Sequence, residues 1–139
     1  MIHVDIITPD ETVFAGEADA VTMPTADGEI TVMGGHMPLI SVLGSGTMVV
    51  RIGKEEKLFA VSRGVVEVTE RGLKILADIA DRAEKLEEAA VEAARKRAEE
   101  LAKQRRDDSE GFAEAAALLE RELARLKTVR KHRSGRRSV

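Results

Sequence analysis

A chain of 139 residues, 43% hydrophobic and 34% charged, has apolar material for one small core and enough charge to remain in water. Its net charge of -3 provides no basic field for nucleic-acid phosphates, and no run of about 18 apolar residues is present to cross a bilayer. The absence of Cys excludes disulfides, thiolate-bound zinc and thiol nucleophiles, and with no Trp or Tyr and only three Phe a stacking platform for bases or sugars is not expected.

The N-terminus, Met1-Ile2-His3-Val4-Asp5, has neither the basic nor the apolar segment of a secretory signal, so a reducing cytoplasmic setting is expected. From there to about Asp81, short β-rich runs alternate with Gly, Pro and Asp. Strands are predicted at His3–Thr8, Glu11–Glu17, Ala20–Pro24, Glu29–Met33, Thr47–Ile52, Glu56–Ser62, Val65–Thr69 and Lys74–Ala80. In Thr47–Ile52 a period of two puts Met48, Val50 and Ile52 on one face, with Thr47 and Arg51 on the other. Thr25-Ala26-Asp27-Gly28 and Glu70-Arg71-Gly72 supply turn chemistry. Many short strands with frequent turns imply an antiparallel sandwich or barrel over residues 1–83.

After Asp81 there is no Pro, and an Ala/Glu/Arg/Lys/Leu composition favours helix. Leu86, Ala90, Ala93, Arg97 and Leu101 recur at three- and four-residue steps. Asp107-Asp108-Ser109 interrupts the pattern, with Asp108 or Ser109 as N-cap, and Phe112, Ala116, Leu119, Leu123 and Leu126 mark a second stripe. Two amphipathic helices and a short polar turn predict an antiparallel hairpin over 84–132. Residues 133–139 lack apolar periodicity and are expected to be a disordered basic tail. From Arg121 onward the cations Arg125, Lys127, Arg130, Lys131, Arg133, Arg136 and Arg137 face the single acid Glu122, so a net-acidic chain ends in a basic segment.

No catalytic constellation stands out. His3, His36 and His132 share no ligand spacing, and Gly44-Ser45-Gly46 lacks the Lys of a phosphate loop. Asp78, Asp81 and Glu84 fall where strand gives way to helix, and the capping of a helix N-terminus explains them better than a metal or acid/base site. The alternating charges from Glu84 to Glu100, such as the pair Glu92–Lys96, make a solvated helix face. Gly34-Gly35-His36-Met37-Pro38-Leu39 reads either as a tight turn or as a loop that docks on another chain. The basic end is open to nucleic acid, an acidic membrane or an acidic protein surface.

Taken in order, Thr8-Pro9, Val13-Phe14-Ala15-Gly16-Glu17-Ala18, Pro24, Asp27-Gly28-Glu29-Ile30, Gly35-His36-Met37-Pro38-Leu39, Ala60-Val61-Ser62-Arg63-Gly64-Val65-Val66-Glu67-Val68 and Ile75-Leu76-Ala77-Asp78 resemble the epsilon subunits of bacterial F-type ATP synthases. The resemblance spans residues 2–131. It implies a sandwich of about ten strands joined to a two-helix hairpin, and a rotor subunit that is not itself catalytic. The expected partners are the gamma subunit, the ring of c subunits and, with the hairpin extended, an acidic segment of beta in the alpha3beta3 hexamer. The expected location is peripheral, on the cytoplasmic face of the bacterial inner membrane, with proton flow coupled to ATP synthesis.

The resemblance also places residues. Glu29, Gly35, His36, Met37 and Pro38 fall at the gamma/c-ring interface. Phe112, Leu119, Arg121, Leu123, Arg125, Leu126, Lys127 and Arg130 fall on a second helix that inhibits ATP hydrolysis when extended. Some members bind ATP through Ile or Leu, Asp, two variable residues, Arg and Ala. The stretch Leu86-Glu87-Glu88-Ala89-Ala90-Val91 has Glu87 for the Asp, Ala90 for the Arg and Val91 for the Ala, so no nucleotide cofactor is expected. Laid end to end, residues 86–131 reach about 70 Å at about 1.5 Å per residue, long enough to climb a stalk. The alternatives are a β-barrel with a basic arm for nucleic acid, opposed by the acidic body, and a small sandwich hydrolase, opposed by the lack of any nucleophile–base pair.

Overall fold

The computed structural model describes the backbone of residues 1–137 and the side chains of residues 1–135. Eight strands come first: β1 (Ile2–Ile7), β2 (Thr12–Ala18), β3 (Ala20–Thr25), β4 (Gly28–Met33), β5 (Leu39–Leu43), β6 (Gly46–Ile52), β7 (Glu55–Thr69) and β8 (Gly72–Arg82). A 3-10 turn at Ala83–Lys85 leads to helices α1 (Glu88–Gln104) and α2 (Ser109–Arg137). Ile2, Val4 and Ile6 on β1, Met48 and Val50 on β6, and Leu73, Ile75 and Ala77 on β8 recur at every second residue and meet in one buried cluster. Burial of each large aliphatic side chain is worth about 1.5–3 kcal/mol, and this holds the two layers face to face.

Eight strands make the sandwich, rather than about ten, because two of them serve both layers. β5 pairs with Gly64–Val68 of β7, while β6 pairs with Glu55–Val61 of the same strand. β8 follows β7 through both halves. One layer therefore runs β2-β1-β8-β7-β5 and the other β8-β7-β6-β3-β4. Counted once per layer, β7 and β8 bring eight to ten. β1 runs parallel to β8, so the sheet is mixed rather than wholly antiparallel.

The turn from one layer to the other is sharp. Phe59 and Val61 point into the core before it, Val66 and Val68 after it, so the inward phase shifts by one residue. Arg63 sits at the shift with φ +42, and the adjoining Gly64 has no room for a side chain, since a Cβ there would run into the Leu76 carbonyl of β8.

The helices form the expected antiparallel hairpin, with its apolar stripes rotated. On α1 the buried residues are Val91 and Ala98, with Leu101 half-buried, while Ala90, Ala93 and Arg97 are exposed. In an Ala-rich helix several stripes look alike, and the larger Val91 decides which turns inward. Leu86 and Val91 pack on Leu126 and Val129 of α2. α2 opens after Asp108, whose carbonyl accepts the Phe112 N–H at 2.7 Å. It continues through residues 133–137, where a disordered tail is expected from sequence; Ser138 and Val139 lie outside the described residues. Asp78 and Asp81 lie within β8 and cap nothing, since α1 begins only at Glu88.

Candidate functional site

Two surfaces carry side chains that the fold does not use up. The first lies on the outer face of β5, β7 and β8. Val42 stands opposite Val65, and Val65 opposite Leu76, in one row across three strands. Val42 is 59% exposed, Val65 43% and Leu76 44%, and Ile40, on the same face of β5, is 77% exposed. Outward positions of a sheet that faces water are ordinarily polar, so an apolar row here marks a surface built for contact. β5 begins directly after the Gly34–Pro38 loop, which makes the loop and the row continuous. In that loop Gly35 takes φ +81, His36 Nδ1 lies 2.7 Å from the Met37 carbonyl oxygen, and Met37 is exposed.

Glu29 is not part of this group. It sits beside Gly28 at the far end of β4, and the four steps from Glu29 to Met33 span about 13 Å at about 3.3 Å each. The structure thus brings Gly35, His36, Met37 and Pro38 together and leaves Glu29 at the opposite end of the strand.

The second surface is the junction between hairpin and sandwich. Every residue from Leu58 to Ser62 of β7 is buried, because the core covers one face and α2 the other. A strand buried on both faces reads as a continuous rather than alternating run, and Leu58-Phe59-Ala60-Val61 does so. Thr47 and Thr128 share a buried hydrogen bond of 2.8 Å. Glu120 of α2 accepts from Ser45 Oγ at 2.8 Å and from Arg63 at 2.9 Å. The Ser45 hydroxyl first, and then Arg63, hold the Glu120 carboxyl below the usual glutamate range. Arg125 donates to Asp81 of β8 at 2.7 Å and to the buried Glu122 at 2.6 Å. The hairpin is therefore folded down on the sandwich.

The expected inhibitory residues divide accordingly. Leu126 is buried and Leu119 half-buried, but Phe112 and Leu123 are exposed, so the stripe is only partly covered. Among the cations, Lys127 is exposed and Arg121 half-buried. Arg125 is engaged by Asp81 and Glu122, and Arg130 bonds Glu88 at 3.1 Å and Glu92 at 3.2 Å. Arg133 also pairs with Glu88. The remnant of the ATP pattern is similarly absorbed: Leu86 and Val91 belong to the hairpin core, Glu87 and Ala90 face solvent, and Glu88 and Glu92 are turned to α2 arginines. Among the described residues no group of His, Asp and Glu is arranged to hold a metal.

A family profile described as "ATP synthase, Delta/Epsilon chain, beta-sandwich domain" matches residues 1–83. The sequence is 39% identical to the ATP synthase epsilon chain of Bordetella parapertussis, over 97% of this chain and 96% of that one. It is 36% identical to the ATP synthase epsilon chain of Dehalococcoides mccartyi, over 95% and 94%. The fold is similar to that of a chain in the Euglena gracilis mitochondrial ATP synthase structure (OSCP/F1/c-ring), with a TM-score of 0.73, 23% identity, and 86% of this chain and 75% of that one covered. A chain in the central stalk/c-ring structure of the Tetrahymena thermophila mitochondrial ATP synthase is similar at a TM-score of 0.53 and 19% identity, over 60% and 67%. At such identities the likeness concerns the fold alone.

Proposed function

The chain belongs to the ATP synthase epsilon chain family, and from that premise we propose that it is a non-catalytic rotor subunit of the F1 sector whose hairpin restrains ATP hydrolysis. It rides with the gamma subunit on the ring of c subunits and helps couple proton flow to ATP synthesis. Among the described residues no helix is long and apolar enough to cross a membrane, in keeping with a peripheral position. We assign that position to the cytoplasmic face of the bacterial inner membrane. The apolar row Val42–Val65–Leu76 and the adjoining loop at His36 and Met37 are the contact with the rotor, and Glu29 forms a separate contact at the other end of β4.

The observation that carries the regulatory half is the way the hairpin is held. α2 lies on the sandwich through small side chains and individually exchangeable polar bonds, while Phe112 and Leu123 stay uncovered. Such a contact leaves the docked and extended states within a few kcal/mol, so that a partner binding one of them shifts the population. On extension, Arg125 and Arg130 exchange the carboxylates of their own chain for those of a beta subunit in alpha3beta3.

Replacing His36 and Met37 with glutamate should weaken assembly with a gamma-containing complex and leave the melting of the isolated subunit unchanged. Pull-down and coupled ATP synthesis measure the first, and thermal unfolding the second. Wild-type assembly and synthesis in this variant would remove the loop from the interface. Calorimetry of the isolated subunit at millimolar ATP should give no saturable heat, because Ala90 supplies no guanidinium and the nearby arginines already hold carboxylates. A saturable heat would mean that nucleotide displaces Glu88 or Glu92.

A further inference from the structure

The corner at which β7 passes from one layer to the other carries a residue that the fold alone does not call for. Arg63 is the only non-glycine residue at positive φ among the described residues. A side chain there costs conformational energy, and glycine would take the same backbone freely. The guanidinium of Arg63 reaches one oxygen of the Glu120 carboxylate at 2.9 Å. The other oxygen accepts from the Ser45 hydroxyl at 2.8 Å, and Ser45 is itself 3.0 Å from the Ser62 hydroxyl. Ser45 lies in the β5–β6 connection, opposite this part of β7, so both edges of the corner converge on one carboxylate of α2.

An isolated surface ion pair contributes little, but here both carboxylate oxygens are held, one by Arg63 of β7 and the other by Ser45 of the short β5–β6 connection. Nearby, Arg125 meets Asp81 and not Glu120, so among the described residues the Glu120 carboxylate has Arg63 as its one cationic partner.

We propose that Arg63, Ser45 and Glu120 form the latch that keeps the hairpin folded down, and that an arginine rather than a glycine stands at this corner for the sake of that contact. The proposal rests on the reading that the hairpin leaves the sandwich in function. It makes the strained corner the point at which docking is set.

The full-length chain allows a direct test, because it has no Cys and a single introduced thiol is unique. Thr128, on the face of α2 that lies against β6, is fully buried in the docked state, so the labelling rate of a Thr128→Cys thiol reports opening. In that background Arg63→Gly, Ser45→Ala and Glu120→Ala should each speed labelling, the last by about tenfold, the equivalent of one charge-assisted hydrogen bond. Alanine at 120 preserves the helix, so helicity by circular dichroism should not change. With Glu120→Ala present, Arg63→Gly should accelerate labelling no further and should raise the melting temperature, since only the relief of strain remains.

Equal acceleration by Arg63→Gly with and without Glu120 would overturn the latch, as would unchanged labelling in Glu120→Ala and Ser45→Ala. If these variants open the hairpin and ATP hydrolysis by the assembled complex does not respond, the brake reading falls and the latch stands.

Discussion

A chain ending at Ala83 should assemble with the stalk through its sandwich and leave ATP hydrolysis unrestrained, several-fold faster than with the full chain. The buried cluster that holds the layers together lies entirely within the strands, from Ile2 to Ala77, so truncation leaves it whole. What the truncation uncovers is the face beneath α2, where Leu58, Ala60, Ser62 and Thr47 are buried. Exposing Leu58, the largest of these, costs about 1.5–3 kcal/mol, enough to lower the melting temperature but not to unfold a core of this size. The apolar row at Val65 is untouched by the cut. Assembly is measured by co-purification with gamma, and hydrolysis by phosphate release from the assembled complex. If the truncated chain assembles and hydrolysis is no faster, the hairpin has a structural role only.

The second large effect is expected at the centre of that row. Val65→Asp should abolish assembly while the isolated subunit stays folded and melts only a few degrees lower than the wild type. Val65 is 43% exposed in the free chain, so a carboxylate there remains solvated and costs about 1 kcal/mol of strand preference. Against a partner, the same carboxylate is desolvated between Val42 and Leu76. An unpaired buried charge costs about 3–5 kcal/mol, which weakens binding by on the order of 10²–10³-fold. Titration of the labelled subunit onto a gamma-containing complex measures this. Retained affinity would mean that the row faces solvent in the assembly.

Much of this was legible in the sequence, and the failures have physical causes. The change from β punctuation to Ala-rich helix near Asp81 marks the boundary, and the alternation of Met48, Val50 and Ile52 gives the right face of β6. β7 reads as two strands because its inward phase shifts at Arg63-Gly64, and a phase shift within one chain looks like a break. β5 does not read as a strand because Leu39-Ile40-Ser41-Val42-Leu43 shows no apolar/polar alternation: its outward Ile40 and Val42 are apolar, and the inward Ser41 is polar. That irregularity is the signal of the proposed contact surface, and the same signal recurs at Val65 and Leu76. Composition on α1 could not set the helix phase, since alanines line several stripes, and Arg97 within the chosen one was the clue against it. The ion pairs of Arg125 and Arg130 have no signature in sequence, because their partners lie 38 or more residues away apart from Glu122.

The two strands shared by both layers bear on how such a subunit carries force. β7 and β8 are bonded to each other from Phe59–Arg82 at one end to Thr69–Gly72 at the other. Their hydrogen bonds lie across the strands, so a pull along the pair shears many bonds together instead of peeling them one at a time. β5 runs from the His36 loop along β7 in the same way. A twist applied at that loop is therefore taken up by a strut spanning the sandwich, whose β7–β8 pairing is interrupted at Arg63. Torque passing through the rotor would be stored as slight bending there, beside Glu120, and not as separation of the layers.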